Sequence, residues 1–262
     1  LSYQNRKYQN KVSPLRLPLA TAGHIVPEAA IDCAGGLNLR GIASMKTDVI
    51  KKSSKAHTIY KTKEGKRVPG TTTILGVLNK PALVSWANRL GLEGIDSAKY
   101  VDTAARIGIL AHYLVQCDLT GQEPDLSEYG KMEIDQAENS LISYYEWKKS
   151  KNITAIETEL PLVSEEYGYG GTIDCYASID DVLWLLDFKT GKAIYPEMLI
   201  QLAAYRQLLI ENGFSVERAK ILRIGRSEDE GFEEKTVTDF TSRWELFKHC
   251  LSIYKLQKEI GA

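Results

Sequence analysis

Five consecutive apolar residues, Val182 to Leu186, run into Asp187-Phe188-Lys189, and this stretch constrains the chain more than any other. A run so short and so apolar fits a strand covered on both faces. Thr172 to Ile179 has strand character as well, and Asp180-Asp181 between the two runs is turn chemistry, so the pair reads as a β-hairpin. An acid and a lysine at the end of a buried strand must pair, bind a metal or reach solvent at a cleft. Asp174 sits near the start of its strand and Asp187 near the end of the next. Antiparallel pairing therefore brings two carboxylates and an ammonium to one edge.

With 262 residues, 44% of them hydrophobic, the chain can bury a large core as one domain or two small ones. The net charge of -1 and pI near 6.5 give no global basic field, so a polyanionic partner requires a local patch. Cys33, Cys117, Cys175 and Cys250 are far apart and lack CxxC spacing. That pattern argues against a zinc ribbon or a sequence-readable iron-sulfur site, and fits free thiols in a reducing cytoplasm. No apolar stretch reaches the roughly 18 residues of a membrane span, and the N-terminus lacks signal-peptide order, so no membrane partner is expected.

Residues 1–44 differ in texture from the rest: they have no initiating methionine, little periodicity, and scattered Pro, Gly and Ala. They read as an added or mis-started leader, with a short docking arm as the competing reading, and a single domain is expected over 45–262. From Lys46 to Arg67 lysines dominate and Asp48 and Glu64 are the only acids. This is a solvated face that is also the best local candidate for gripping phosphates, and a hairpin is expected from His57. The hydroxyls of Thr71 to Thr73 are available to cap a helix, Lys80-Pro81 opens another, and helical spacing continues over 98–119 and 131–149. In the third of these Val101, Ala105, Leu110 and Leu114 are the expected core positions, and His112 lies within it. A strand over 153–163 follows, with Glu157 and Glu159 on one face. After the hairpin come a helix over 196–212, a strand over 219–225, an acidic loop over 228–234, a short strand over 235–239 and a closing helix over 241–260. The fold class is α/β: a central mixed β-sheet flanked by helices, with an N-terminal helical region.

Several carboxylates with few nitrogen or sulfur donors favour magnesium or manganese over zinc. One or two such ions beside Lys189 supply the parts that phosphodiester hydrolysis needs: polarised phosphate oxygens, an activated water and a cation facing the developing charge.

Five ordered motifs, Gly108-Ile-Leu-Ala-His112, Glu159-Leu-Pro-Leu162, Gly171-Thr-Ile-Asp174, Asp187-Phe-Lys189 and Gln201-Leu-Ala-Ala-Tyr205, resemble those of RecB-like nucleases of the PD-(D/E)XK superfamily. The likeness is greatest to phage-type exonucleases and the mitochondrial genome maintenance exonuclease, and spans His57 to the C-terminal helix. It implies a restriction-endonuclease-like core. It further implies that His112, Asp174, Asp187 and the Phe188 carbonyl hold the metal, that Lys189 serves the nucleophilic water, that Glu159 is an additional acid, and that Gln201 and Tyr205 support the site or the DNA strand. Position 173 is Ile where the superfamily name has Pro, and Gly170 stands where relatives often have Ala, a difference expected to be neutral. Some relatives carry a cysteine-bound iron-sulfur cluster; the cysteines here lack that arrangement, so none is expected. The activity so implied is a magnesium-dependent DNA exonuclease acting on single strands or free ends in phage or bacterial DNA processing. A recombinase or helicase partner fits that role, as does a cytoplasmic location, the bacterial host's for a phage-encoded chain.

Other readings compete. Asp187-Phe-Lys189 alone is more often a surface ion pair than an active site. Lys189-Thr-Gly-Lys192 is not a P-loop, because Leu186 stands where the first Gly belongs and Ala193 follows the lysine. Glu157 and Glu159 as a glycosidase pair lack a sugar platform. Tyr167 and Tyr169 either stack on bases or pack on the sheet. A DNA-binding module on an inactive nuclease fold and a structure-specific endonuclease are the functional alternatives.

Overall fold

The computed structural model describes residues 58–78 and 80–261. The expected leader over 1–44, Cys33, the lysines before position 58 and His57 at the start of the first expected hairpin lie outside the described residues.

A two-stranded hairpin, β1 (Tyr60–Lys61) and β2 (Arg67–Val68), precedes three helices, α1 (Thr71–Leu75), α2 (Pro81–Leu92) and α3 (Ser97–Thr120). Helix α4 (Lys131–Lys148) leads into strands β3 (Ile153–Ser164), β4 (Tyr169–Ile179) and β5 (Val182–Lys189). Helix α5 (Pro196–Glu211), strands β6 (Arg218–Ile224) and β7 (Phe232–Val237) and helix α6 (Thr241–Ile260) complete the chain. The five-stranded sheet has the order β3-β4-β5-β6-β7. Strands β3 to β5 form an antiparallel meander, α5 carries the chain across to β6, which is parallel to β5, and β7 returns antiparallel.

The β4–β5 turn is the two-residue kind, with Ile179 paired to Val182 and positive φ at both Asp180 and Asp181, 50° and 65°. Two left-handed residues match the right-handed twist of the flanking strands, and Asp tolerates that conformation better than most residues. Strand β5 is central and its apolar run is buried on both faces, which is why it reads as a continuous rather than an alternating run. On one face Leu185 packs with Ile173, Leu202, Leu208 and Phe247 beneath α5 and α6. On the other, Leu186 and Phe188 pack with Cys175, Val115 and Tyr144 beneath α3 and α4.

Some local expectations are corrected. Leu110 and Leu114 are buried in the core as expected, joined by Ile107, but Val101, at 51% exposure, and Ala105 are exposed, Ala105 lining a cavity rather than the core. No threonine side chain caps α1; Gly70 is its N-cap, and the Thr71 hydroxyl donates to the Gly170 carbonyl at 2.9 Å, tying the helix to β4. Strand β7 begins at Phe232, inside the stretch expected as an acidic loop, since Glu233 and Glu234 face cations on β6, Arg223 and Lys220. Among the described residues no helix is long and apolar enough to cross a membrane.

Candidate active site

The β4–β5 ladder ends at the pair Cys175–Leu186. One position further, the Phe188 amide donates to Asp174 Oδ2 at 2.8 Å, so a side chain takes the place of a backbone acceptor. The inside-outside alternation of β4 slips at the same point. Ile173 and Tyr176 face the α5 side, whereas Cys175 and Ala177 face the α3 and α4 side. Strand β3 is irregular opposite: Thr158 pairs with Cys175 and Leu160 with Ile173, leaving Glu159 between them across from Asp174 with φ at +48°. A left-handed glutamate is uncommon and costs on the order of 1 kcal/mol or more. Together the two irregularities aim both carboxylates at α3, as a bulge re-aims side chains beside a site.

Helix α3 supplies His112, whose Nδ1 lies 3.6 Å from Asp174 Oδ2. One donor atom each from His112, Glu159 and Asp174 fall within 4.8 Å of one another. His112 and Glu159 border a cavity of about 290 Å³ between α3 and the sheet, walled also by Gly108, Gln116 and Thr190. Gly108 leaves room there, since a β-carbon would come within 3.0 Å of the Thr190 hydroxyl.

Asp187 is 1% exposed and pairs with Lys189, Nζ to Oδ2 at 2.6 Å. Lys189 reaches Oδ2, and the buried Oδ1 has no hydrogen-bond partner. Burial, then repulsion from Asp174, raises the Asp187 carboxyl to about 6 against the opposing pull of Lys189. Burial raises Asp174 as well, opposed by Lys189 and the Phe188 amide. Burial pushes Glu159 up to about 8, with Asp174 and Asp187 adding to the shift. Burial and the Lys189 charge lower His112 to about 4, leaving the imidazole neutral and able to ligate. At Lys189 burial acts downward, but Asp187 and Asp174 outweigh it and the ammonium is held charged.

Three crowded carboxyls, each held above its ordinary range, with one unpartnered buried oxygen and a neutral imidazole, fit a divalent cation. Oxygen donors suit magnesium, and the imidazole widens the choice to manganese. Of the sequence-predicted ligands, the structure places His112 and Asp174 in the three-residue donor group. Glu159, expected as an additional acid, joins them; Asp187 lies at the end of the partner strand in contact with Lys189, and the Phe188 amide donates to Asp174. Glu157 pairs in the ladder with Tyr176, outside this group.

Gln201 Nε2 donates to Tyr205 Oη at 2.6 Å, and both are buried. The Tyr205 ring lies against Gly171, where a β-carbon would come within 2.6 Å of it. Gly170 is not neutral to substitution. A β-carbon there would meet Tyr60 Cγ at 2.3 Å and Cβ at 2.5 Å, atoms close to the backbone with little freedom to move. Tyr60 in turn bonds the Thr172 hydroxyl at 2.9 Å. Tyr169 is fully buried, against Phe247 and Trp244, and Tyr167 meets the Trp244 edge, so both tyrosines pack rather than offer faces. The described cysteines, Cys117, Cys175 and Cys250, are buried free thiols on α3, β4 and α6.

No family profile and no curated protein matches this chain. Among solved structures it is similar to an alkaline exonuclease (LHK-Exo) from Laribacter hongkongensis, at 13% identity over 58% of this chain and 78% of that one, with a TM-score of 0.35. The complex of LHK-Exo with dAMP aligns over the same shares at 12% identity, also with a TM-score of 0.35.

Proposed function

We propose that this chain is a metal-dependent deoxyribonuclease, an exonuclease hydrolysing phosphodiester bonds of single-stranded DNA or at free DNA ends. The observation that carries the reading is the convergence of His112, Glu159 and Asp174 on one point beside the buried Asp187–Lys189 pair. That arrangement strains Glu159 and crowds carboxylates in a way a purely structural sheet has no use for. A divalent cation held there supplies Lewis-acid polarisation of a phosphodiester.

The chain's own residues supply the rest. The Phe188 amide fixes the Asp174 carboxylate, and Asp174 in turn faces the His112 ring. Lys189, kept charged by Asp187 and Asp174, donates rather than accepts a proton, so it orients the attacking water and faces the negative charge developing on the phosphate oxygens. Asp187 holds the Lys189 ammonium against the sheet edge. Gln201 and Tyr205 brace the floor beneath Gly171. The five motifs that resemble RecB-like nucleases support the same assignment, and with it a role in phage or bacterial DNA processing alongside a recombinase or helicase.

End-labelled linear and circular single-stranded DNA, incubated with magnesium, manganese or EDTA, tests this directly. Metal-dependent loss of the linear strand alone is the expected result. Loss of both forms means an endonuclease. Loss of neither, or undiminished cleavage by Asp187→Ala and Lys189→Ala, overturns the proposal.

A further inference from the structure

A second cavity, of about 420 Å³, opens on the N-terminal half of α3 and adjoins the first, Ala104 lining both. Ile95, Ala104, Ile107, Met132 and Tyr100 give it its apolar surface. Tyr100 is 38% exposed and meets Trp86 in a T-shaped contact at 5.7 Å and 67°. Two of the polar groups in the cavity are already committed to each other. Arg226 and Glu230 pair at 2.7 Å with little exposure. Asp96 is spent capping α3, accepting from the Ala98 and Lys99 amides. The exposed Lys99 stands at the rim.

Such a space is poorly suited to a phosphate, because its guanidinium is neutralised. It suits a flat, uncharged heteroaromatic ring: a partly exposed tyrosine supported by an indole, apolar walls, and the Gln136 amide for a polar edge. The volume lies within the range of small-ligand pockets. From Tyr100 to His112 is 12 residues of one helix, roughly 18 Å at 1.5 Å per residue, a span that a few nucleotides of extended strand cover. We propose that this cavity is a nucleobase-stacking subsite, which holds one base of a single strand on Tyr100 while its phosphodiester lies at His112 and Asp174. The proposal rests on the nuclease reading for the second half of that statement and on the cavity itself for the first.

Fluorescence anisotropy of a labelled 12-nucleotide single strand in EDTA measures binding without cleavage. Tyr100→Ala is expected to weaken binding about fivefold to a hundredfold, the worth of one stacked base, and Tyr100→Phe by no more than about twofold. A strand with abasic positions binds wild type correspondingly less well and shows no further loss with Tyr100→Ala. Near-ultraviolet circular dichroism of the Trp86 environment and the melting temperature verify that the variant is folded. Wild-type binding by a folded Tyr100→Ala, or an abasic penalty as large in Tyr100→Ala as in wild type, overturns the subsite. Digestion of the same strand by wild type with magnesium or manganese separates the two readings. Binding that depends on Tyr100 without cleavage keeps the subsite and removes the nuclease, whereas cleavage with no effect of Tyr100 does the reverse.

Discussion

The Phe188 amide donates to the Asp174 carboxylate at the position where β4 and β5 stop exchanging backbone hydrogen bonds. One side chain thus closes the hairpin and opens the site. Because the bond occupies Oδ2, it fixes the carboxylate plane and sets its approach to His112. Asp174→Asn keeps the shape but loses a charge that the site uses. Metal affinity is expected to fall at least 10- to 100-fold, with the circular dichroism spectrum retained, and isothermal titration of the purified variant with manganese measures this.

Divalent metal should stabilise the fold itself. Three raised carboxyls and the unpartnered Oδ1 of Asp187 make the metal-free site a local liability. A ligand that binds only the folded state at 100 times its Kd contributes about 2.7 kcal/mol. Thermal unfolding with millimolar manganese should therefore occur several degrees above unfolding in EDTA. Glu159→Gln should lose most of that increment, and an equal increment in wild type and variant would count against Glu159 as a ligand.

The metal-free protein should become less stable as pH rises from about 5 to 8. Asp187 is held at about 6 and Glu159 at about 8, against unfolded carboxyl values near 4, so between those limits the folded state binds more protons than the unfolded chain. Stability present below the unfolded value is then lost progressively as pH rises through the folded values. Asp174, raised as well, acts in the same direction. His112 opposes over part of the window, because its folded value near 4 lies below the usual 6.5 and acid favours the unfolded, protonated ring. Three carboxyls outweigh one imidazole, and above pH 6.5 the imidazole no longer contributes. Urea unfolding in EDTA should show a decline on the order of 2 kcal/mol across the range. Saturating metal should flatten or reverse it, because the metal binds the ionised forms.

Lys189 separates catalysis from metal binding. Its ammonium contacts Asp187 and stands outside the His112, Glu159 and Asp174 group. Lys189→Gln should lower the turnover number roughly 10²- to 10³-fold, the usual cost of losing a donor aimed at developing charge, while the metal-induced thermal shift persists. Loss of that shift together with activity would mean that Lys189 acts through the metal ligands.

The sequence was most informative where local chemistry is self-contained. The Asp180-Asp181 turn, the apolar β5 run and the helix carrying His112 all follow from periodicity and turn residues, as does a mixed sheet flanked by helices. Less legible was anything that depends on a defect. Glu159 and Glu157 look equivalent in an alternating strand; the motif resemblance favours Glu159, and the break in pairing opposite Asp174 gives the physical difference between them. Val101 and Ala105 satisfy a helical period, yet nothing in α3 alone says which of two apolar faces the sheet will cover. Tyr100 is exposed as well, and its proposed role depends on a contact with Trp86 on another helix.

Gly170 illustrates the same limit and yields a test. An alanine at this position looks harmless in a strand, but the Tyr60 ring fills the space that its β-carbon would take. The close atoms are Tyr60 Cβ and Cγ, so relief requires the backbone of the β1 hairpin to move. That motion would disturb the Tyr60–Thr172 hydrogen bond and the Pro69 carbonyl that accepts from the Gly170 amide at 2.9 Å. Gly170→Ala should cost about 1–3 kcal/mol, the usual cost of overpacking. In a Tyr60→Ala background the obstacle is gone, and the same substitution should then cost less than about 0.5 kcal/mol. Denaturant unfolding of the four proteins closes the cycle. A penalty independent of Tyr60 would place the strain in the Gly170 backbone rather than in its contact with the ring.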